Sequence, residues 1–295
     1  MSLPTPIVFS HANGFPAGTY RLLFDRFRTA GYEVHAIEKF GHDPRYPVTD
    51  NWPHLRDQLI HFIEREVPAR PAWLVGHSLG GFLSLLAAIH RPDLARAVVL
   101  LDSPVLYGIK ARGVQLFKAT GWIGRVSPGK ISRQRRDVWP SADEALSHFA
   151  SKPNFARWHP QVLADYIAAG TQPAGAQPDA PGECRPGSGR PGVGPARTLA
   201  FRREIETDIY NTLPHHIHRL LRRRPLRAPV AFVGGTHSLE VRQVGLRATE
   251  QITHGRISWI EGSHLYPMER PEETVATVIE WLRRFEAPPG APKAE

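Results

Sequence analysis

The chain has 295 residues of ordinary globular composition, 41% hydrophobic and 22% charged, which favours one large domain or two small ones. Its single cysteine, Cys184, excludes an intramolecular disulfide framework and any metal site built from several cysteines. The formal net charge of +9 permits binding to nucleic acid or an anionic membrane. No nucleic-acid motif accompanies the arginine clusters, so we predict no nucleic-acid partner.

The sequence favours a cytoplasmic location. No basic segment followed by an apolar segment opens the chain, so we expect no secretory signal. No run approaches the roughly 18 consecutive apolar residues of a transmembrane helix, so we expect no integral membrane segment. The sequence leaves the oligomeric state open.

Strands and helices alternate through the first third of the chain. Strands are predicted at 6–10, 32–37, 72–75 and 97–101, and helices at 20–30, 53–67 and 80–90. Strands that are apolar on both faces and separated by helices are typical of a parallel sheet covered on both sides. The pattern resumes with strands at 229–233 and 256–260 and a helix at 272–285. We therefore predict an α/β fold with a mostly parallel sheet flanked by helices.

The region between these two parts shows no clear strands, and its aromatic residues are scattered. We predict a helical insertion at 104–227 between two parts of an α/β core at 1–103 and 228–288, with a disordered tail at 289–295. Within the insertion, 12 of the 25 residues at 173–197 are Gly or Pro. Such a segment cannot bury enough apolar surface to fold alone. We interpret it as a disordered loop or as GC-rich DNA read out of frame, and resequencing would decide between them.

The motif with the clearest chemical meaning is Gly76-His77-Ser78-Leu79-Gly80, of the form G-x-S-x-G. It lies between a predicted strand and a predicted helix, which is the context that a nucleophile elbow requires. In such a turn the serine hydroxyl stands exposed at the edge of the sheet, at the N-terminus of the following helix. Ser78 is therefore the candidate nucleophile.

With this motif in this context, the chain resembles the α/β-hydrolase-fold serine hydrolases. The likeness is to the capped esterase and haloalkane-dehalogenase-like branch, although Ser78 stands where dehalogenases carry an aspartate. The resemblance covers nearly the whole chain outside the insertion, which corresponds to that superfamily's variable helical cap. It implies a mechanism that needs no cofactor and no metal.

The resemblance also implies the other catalytic roles. The loop Glu261-Gly-Ser-His264, followed by Glu269-Arg-Pro271, is similar to the superfamily's G-x-H loop, so His264 takes the role of the base. The N–H of Leu79 would be one donor to the oxyanion. His11-Ala12-Asn13-Gly14 resembles the H-G-x-x loop, with Ala12 in place of glycine. It implies the N–H of Asn13 as the second donor, with Gly14 as the alternative, and His11 as a residue that holds the loop.

The acid of the triad is not in its commonest place. The turn after the strand at 229–233 usually reads G-x-x-D, and here Ser238 stands where the aspartate is expected. Asp102, at the end of the strand at 97–101, matches the position used by haloalkane-dehalogenase-like enzymes and certain lipases. We favour Asp102 as the acid, with Glu240, or no acid at all, as the alternatives.

These residues predict an enzyme that cleaves an ester-type bond of a small molecule through an acyl-enzyme intermediate, as a carboxylesterase, thioesterase or lactonase does. The alternatives are a lyase or cofactor-free haloperoxidase on the same fold, or a catalytically inactive binding protein. Trp122 and Tyr210 are the candidate substrate-binding residues.

Overall fold

The computed structural model describes residues 5–68, 70–119, 129–175 and 195–287. Over these ranges, none of the helices combines the length and the apolarity that crossing a bilayer would need.

The main sheet has six parallel strands in the order β2-β1-β3-β4-β8-β9. The strands are β1 (Ile7–Ser10), β2 (Val34–Ala36), β3 (Ala72–His77), β4 (Ala95–Leu101), β8 (Val230–Gly235) and β9 (Ile257–Ile260). The predicted parallel sheet is confirmed. The four strands in its middle are almost wholly buried, because helices cover both faces.

The four helices predicted at 20–30, 53–67, 80–90 and 272–285 are confirmed, and the described part of the sheet region has three further short ones. They are α1 (Arg21–Thr29), α2 (Pro53–Glu66), α3 (Leu79–His90), α10 (Leu239–Val244), α11 (Arg247–Thr253), α12 (Tyr266–Glu269) and α13 (Pro271–Glu286), and a 3₁₀ turn at Ala17–Tyr20 precedes α1. Ten residues of α3 are buried. Pro53 opens α2 at its first position, where the missing N–H costs nothing.

The segment between β4 and β8 contains helices and three short strands. Its helices are α4 (Gly108–Ala119), α5 (Gly129–Gln134), α6 (Ala142–Ala150), α7 (Pro160–Gly170), α8 (Arg203–Asn211) and α9 (Ile217–Arg223). The strands β5 (Val138–Trp139), β6 (Thr171–Pro173) and β7 (Arg197–Leu199) form an antiparallel sheet in the order β5-β7-β6. The expectation of no strands here was wrong, because strands of two or three residues are too short to show an alternating pattern.

The Gly- and Pro-rich segment is described only at its two ends. Pro173 closes β6 and Arg197 opens β7, and these strands pair with each other. Ala174 N–H donates to the carbonyl of Ala196 at 2.7 Å, so the ends of the segment are side by side. Residues 176–194 lie outside the described residues, as do 288–295, and the predictions made for them stay predictions.

Candidate active site

Ser78 lies in a strained turn between β3 and α3. Its φ of 52° and ψ of −114° are unfavourable for a residue with a side chain, and such strain persists only where the surroundings enforce it. The Ser78 N–H donates to the carbonyl of Leu101 at 2.9 Å, and the Ser103 hydroxyl donates to the Ser78 carbonyl at 2.9 Å. A backbone bond to the end of β4 and a side-chain bond from the residues after it therefore hold the turn that the G-x-S-x-G motif predicts.

Two glycines of the motif allow the sharp turn. A Cβ on Gly76 would lie 2.2 Å from the carbonyl oxygen of Gly80, and a Cβ on Gly80 would lie 2.0 Å from that of Ser10. Real side chains cannot approach this closely, so both positions require glycine. The second contact packs the start of α3 against the end of β1, from which the predicted oxyanion loop emerges.

His264, in the loop after β9, meets Asp102 at the end of β4. Its Nδ1 lies 2.6 Å from Oδ2 of Asp102. Asp102 is 1% exposed, and its carboxylate also accepts hydrogen bonds from the N–H of Gly235 at 2.8 Å and from the Ser238 hydroxyl at 2.5 Å. A buried carboxylate with three donors satisfies its hydrogen-bonding needs and can orient an imidazole.

Glu240 approaches the same imidazole from farther away. Its Oε2 lies 3.7 Å from Nδ1 of His264, and its side chain is 46% exposed. The Ser238 hydroxyl lies 3.4 Å from Oε2 of Glu240. Of the two carboxylates considered from the sequence, the structure therefore brings Asp102 within hydrogen-bonding distance of His264 and leaves Glu240 just outside it.

The two carboxylates set the pKa of His264. Burial of the ring lowers its pKa, but the hydrogen bond to Asp102 and the charges of Asp102 and Glu240 outweigh burial, so the pKa is raised above 6.5. The imidazolium that forms when a histidine accepts a proton is therefore stabilised at this position.

The predicted oxyanion loop, after β1, is held through His11. The Nδ1–H of His11 donates to the Ala12 carbonyl at 2.8 Å, and its Nε2 accepts from the N–H of Phe40 at 3.0 Å. Burial lowers the pKa of His11 to about 4, so the ring is neutral, as these bonds require. The Ala12 carbonyl shares its peptide plane with the N–H of Asn13, so anchoring the carbonyl also orients that N–H.

A buried polar cluster joins the same loop to the insertion. The side-chain amide of Asn13 donates to the carbonyl of Glu206 in α8 at 2.9 Å, and a Cβ on Gly14 would lie 2.9 Å from the Glu206 carboxylate. Arg135 pairs with that carboxylate at 2.7 Å, and the Ser132 hydroxyl donates to it at 2.9 Å. Through this cluster the insertion holds Asn13 and Gly14 of the predicted oxyanion loop in place.

The two candidate substrate-binding residues differ in what the structure describes. Tyr210 is half-buried near the end of α8. Its hydroxyl interacts with the side chain of Asn13 and with the charges of Glu206 and Glu240. Burial raises the pKa of its hydroxyl. Trp122 lies outside the described residues. Tyr210 therefore remains a candidate for contact with substrate.

Asp102, Glu240 and His264 also form a group whose ligating atoms lie within 4.8 Å of one another. Two ligands of one ion with bonds of about 2.1 Å stand more than 3 Å apart in tetrahedral geometry. The separation of 2.6 Å between Nδ1 and Oδ2 is instead that of a charge-assisted hydrogen bond. Within the described ranges, the arrangement fits an acid–base pair better than a metal site.

The parallel sheet and the strained serine turn place the protein among the α/β hydrolases, and the family-level comparison agrees. The model of the "Alpha/beta hydrolase family" matches residues 7–277, so the chain belongs to this family. The resemblance inferred from the motifs is thereby confirmed.

Similar proteins include ones named as a lipase homolog, an acetyltransferase and a hydrolase. A monoglyceride lipase homolog of Monkeypox virus is 27% identical over 171 residues, which are 53% of this chain and 62% of that protein. Ethanol acetyltransferase 1 of Hanseniaspora uvarum is 25% identical over 253 residues, or 85% of this chain and 71% of that protein. The crystal structure of E-2-(acetamidomethylene)succinate hydrolase has a TM-score of 0.70 at 18% identity, covering 95% of this chain and 91% of that one.

The match to the lipase-type relatives is partial. The chain spans 62% of the length of the viral homolog and 56% of the length of the Rattus norvegicus monoglyceride lipase. The similarity to the solved hydrolase establishes the fold.

Proposed function

We propose that the protein is a serine hydrolase that cleaves an ester-type bond of a small molecule through an acyl-enzyme intermediate. The observation that carries the proposal is the 2.6 Å contact between His264 Nδ1 and the buried Asp102 carboxylate, in the loops flanking the strained turn of Ser78. Membership of the α/β hydrolase family and the lipase-type relatives support it.

The reaction begins when His264 takes the proton of the Ser78 hydroxyl and the oxygen attacks the carbonyl carbon of the substrate. Asp102 stabilises the resulting imidazolium and holds the ring in one orientation. Leu79 is the first residue of α3, and N–H groups in the first turn of a helix have no partner within the helix. Its N–H and that of Asn13 would stabilise the oxyanion.

Collapse of the tetrahedral intermediate releases the alcohol or thiol, which receives the proton from His264. Water then attacks the acyl-enzyme with His264 again acting as the base, and the carboxylic acid leaves. An alcohol in place of water would complete an acyl transfer instead. The relative named as an ethanol acetyltransferase covers 85% of this chain, so acyl transfer to an alcohol is the second candidate function.

The first experiment compares wild type with Ser78→Ala on short-chain p-nitrophenyl esters, in water and with added ethanol. We expect wild type to release p-nitrophenol and the variant to lose at least about 10³-fold in kcat. A fluorophosphonate probe should label wild type on Ser78 and leave the variant unlabelled.

Each other outcome points to a different function. Formation of ethyl ester in preference to free acid would favour the transferase. Wild type that turns over no ester and takes up no probe would contradict the proposal and favour an inactive binding protein. Turnover of another substrate class without labelling of Ser78 would favour a lyase or haloperoxidase.

A further inference from the structure

The residue before the nucleophile, His77, forms bonds that the mechanism above does not use. Its side chain is wholly buried. Its Nε2 lies 2.9 Å from the main-chain oxygen of His264, and its Nδ1 lies 2.8 Å from the hydroxyl of Tyr20. Tyr20 is also wholly buried, and its hydroxyl oxygen accepts the N–H of Ala12 at 3.1 Å.

The donor and the acceptor of each of these hydrogen bonds follow from the groups that it joins. The carbonyl of His264 can only accept, so the proton of the imidazole is on Nε2. Burial and the nearby His264 ring hold the pKa of His77 well below 6.5, so the ring is neutral and Nδ1 is an acceptor. Tyr20 therefore donates to Nδ1, and burial raises the pKa of its hydroxyl, which keeps the proton in place.

These bonds connect the loops that carry the proposed catalytic groups. Ala12 precedes Asn13, whose N–H is the proposed oxyanion donor, and the bridge ends on the backbone of the proposed base, His264. His77 itself adjoins Ser78. The chain of donors and acceptors thus runs from the oxyanion loop, through the core beneath the nucleophile, to the loop of the base.

We propose that Tyr20 and His77 form a hydrogen-bonded bridge that sets the relative positions of the oxyanion peptide and His264, and that both are positioning residues for the hydrolysis. Neither side chain needs to touch the substrate. An apolar side chain of similar size would fill the core without the cost of burying polar atoms. Both ends of the bridge meet backbone groups of site loops, where a displacement of about 1 Å can cost 10²-fold in rate.

The inference rests on the proposed function, so its test has one arm that needs no activity. In protein labelled with ¹⁵N-histidine, NMR should show His77 neutral and protonated on Nε2 from about pH 6.5 to pH 8. In Tyr20→Phe, where Nδ1 loses its donor, this preference should weaken. A His77 that titrates in this range, or that is protonated on Nδ1 in wild type, would overturn the bridge whether or not the protein hydrolyses esters.

The kinetic arm compares Tyr20→Phe with two controls. Tyr166→Phe removes a hydroxyl from another wholly buried tyrosine, one whose hydroxyl has no hydrogen-bond partner among the residues that the structure describes. Thr253→Val removes a buried hydroxyl that donates to the Thr249 carbonyl at 2.9 Å. We expect Tyr20→Phe to lower kcat about tenfold with KM changed less than twofold, and both controls to retain wild-type kcat.

Variants of His77 extend the same arm. His77→Gln keeps an N–H donor for the His264 carbonyl and should lose less kcat than His77→Leu, which keeps none. The double variant Tyr20→Phe/His77→Gln should be no slower than the worse single variant, because both act on one chain of bonds. Should Tyr20→Phe prove too unstable to purify, the His77 pair carries the test.

The results separate two failures. If wild type has no esterase activity and takes up no probe, the proposed function is contradicted. The NMR measurement then still tests the bridge, because it does not depend on activity. Active wild type with Tyr20→Phe at wild-type kcat, or His77→Gln as slow as His77→Leu, overturns the bridge alone. A lower Tm with unchanged kcat would assign Tyr20 to packing and overturn it equally.

Discussion

Two neighbouring strand ends offer a carboxylate to the same histidine, and their surroundings differ. At the end of β4, the Asp102 side chain is wholly buried and lies 2.6 Å from Nδ1 of His264. After β8, Glu240 is 46% exposed and lies 3.7 Å from the same nitrogen. A buried acid with fixed donors can both orient the ring and stabilise its charge, whereas a half-exposed one acts mainly through a field that water and salt weaken.

The turn after β8 also contributes a hydrogen bond to the carboxylate of Asp102. Ser238 stands where an aspartate was expected, and its hydroxyl donates to Asp102 at 2.5 Å while accepting the N–H of Val241. An alcohol at this place cannot serve as the acid, but it supports the carboxylate of Asp102, the proposed acid. Asp102 therefore carries the negative charge, and Ser238 holds its carboxylate in place.

The largest effect should come from Asp102→Asn. Without the carboxylate, the imidazolium loses its partner and the histidine can adopt the wrong tautomer, so kcat should fall by about 10⁴-fold. Steady-state kinetics on the p-nitrophenyl ester, with circular dichroism to show that the fold is kept, would measure this. A folded Asp102→Asn variant with near wild-type kcat would reverse the assignment of the two strand ends.

A smaller loss is expected for Ser238→Ala, which removes one charge-assisted hydrogen bond from Asp102. We expect about a tenfold decrease in kcat and a lower Tm, because Ser238 is also the N-cap of α10. Ser141→Ala is the matched control, since Ser141 caps α6 by accepting the N–H of Glu144 at 3.1 Å. If both variants lower Tm alike and neither lowers kcat, Ser238 is only a cap.

The smallest effect on rate is expected for Glu240→Gln, with kcat at its maximum changed less than about threefold. The negative charge of Glu240 raises the pKa of His264, and a histidine acts as a general base in its neutral form. Removing the charge should therefore move the acid limb of the kcat/KM profile to lower pH.

Rising salt should bring the pH profiles of wild type and Glu240→Gln together, because it screens the half-exposed carboxylate. An acid limb that stays in place at low salt would show that Glu240 has no influence on the base. A loss of several orders of magnitude in kcat would instead make Glu240 the acid.

Local sequence patterns determined the sheet and the nucleophile turn. The four middle strands of the sheet are mostly apolar and buried, and Gly76 and Gly80 stand where any Cβ would collide with backbone. These features depend on residues close together in the chain, so periodicity and the G-x-S-x-G spacing were enough to predict them. The short strands β5 to β7 were not predicted, because their pairing depends on partners elsewhere in the insertion rather than on their own sequence pattern.

Only the tertiary structure decided which of the two carboxylates lies within hydrogen-bonding distance of His264. His264 and Asp102 are 162 positions apart in the chain, and both Asp102 and Glu240 follow strands whose ends meet at one edge of the sheet. The hydrogen bonds of Tyr20 and His77 also join distant parts of the chain. They could not be predicted from the sequence, where a tyrosine and a histidine of this kind look like ordinary core residues. Hydrogen bonds of this kind depend on separations of a few tenths of an ångström between distant parts of the chain, which no local pattern of residues records.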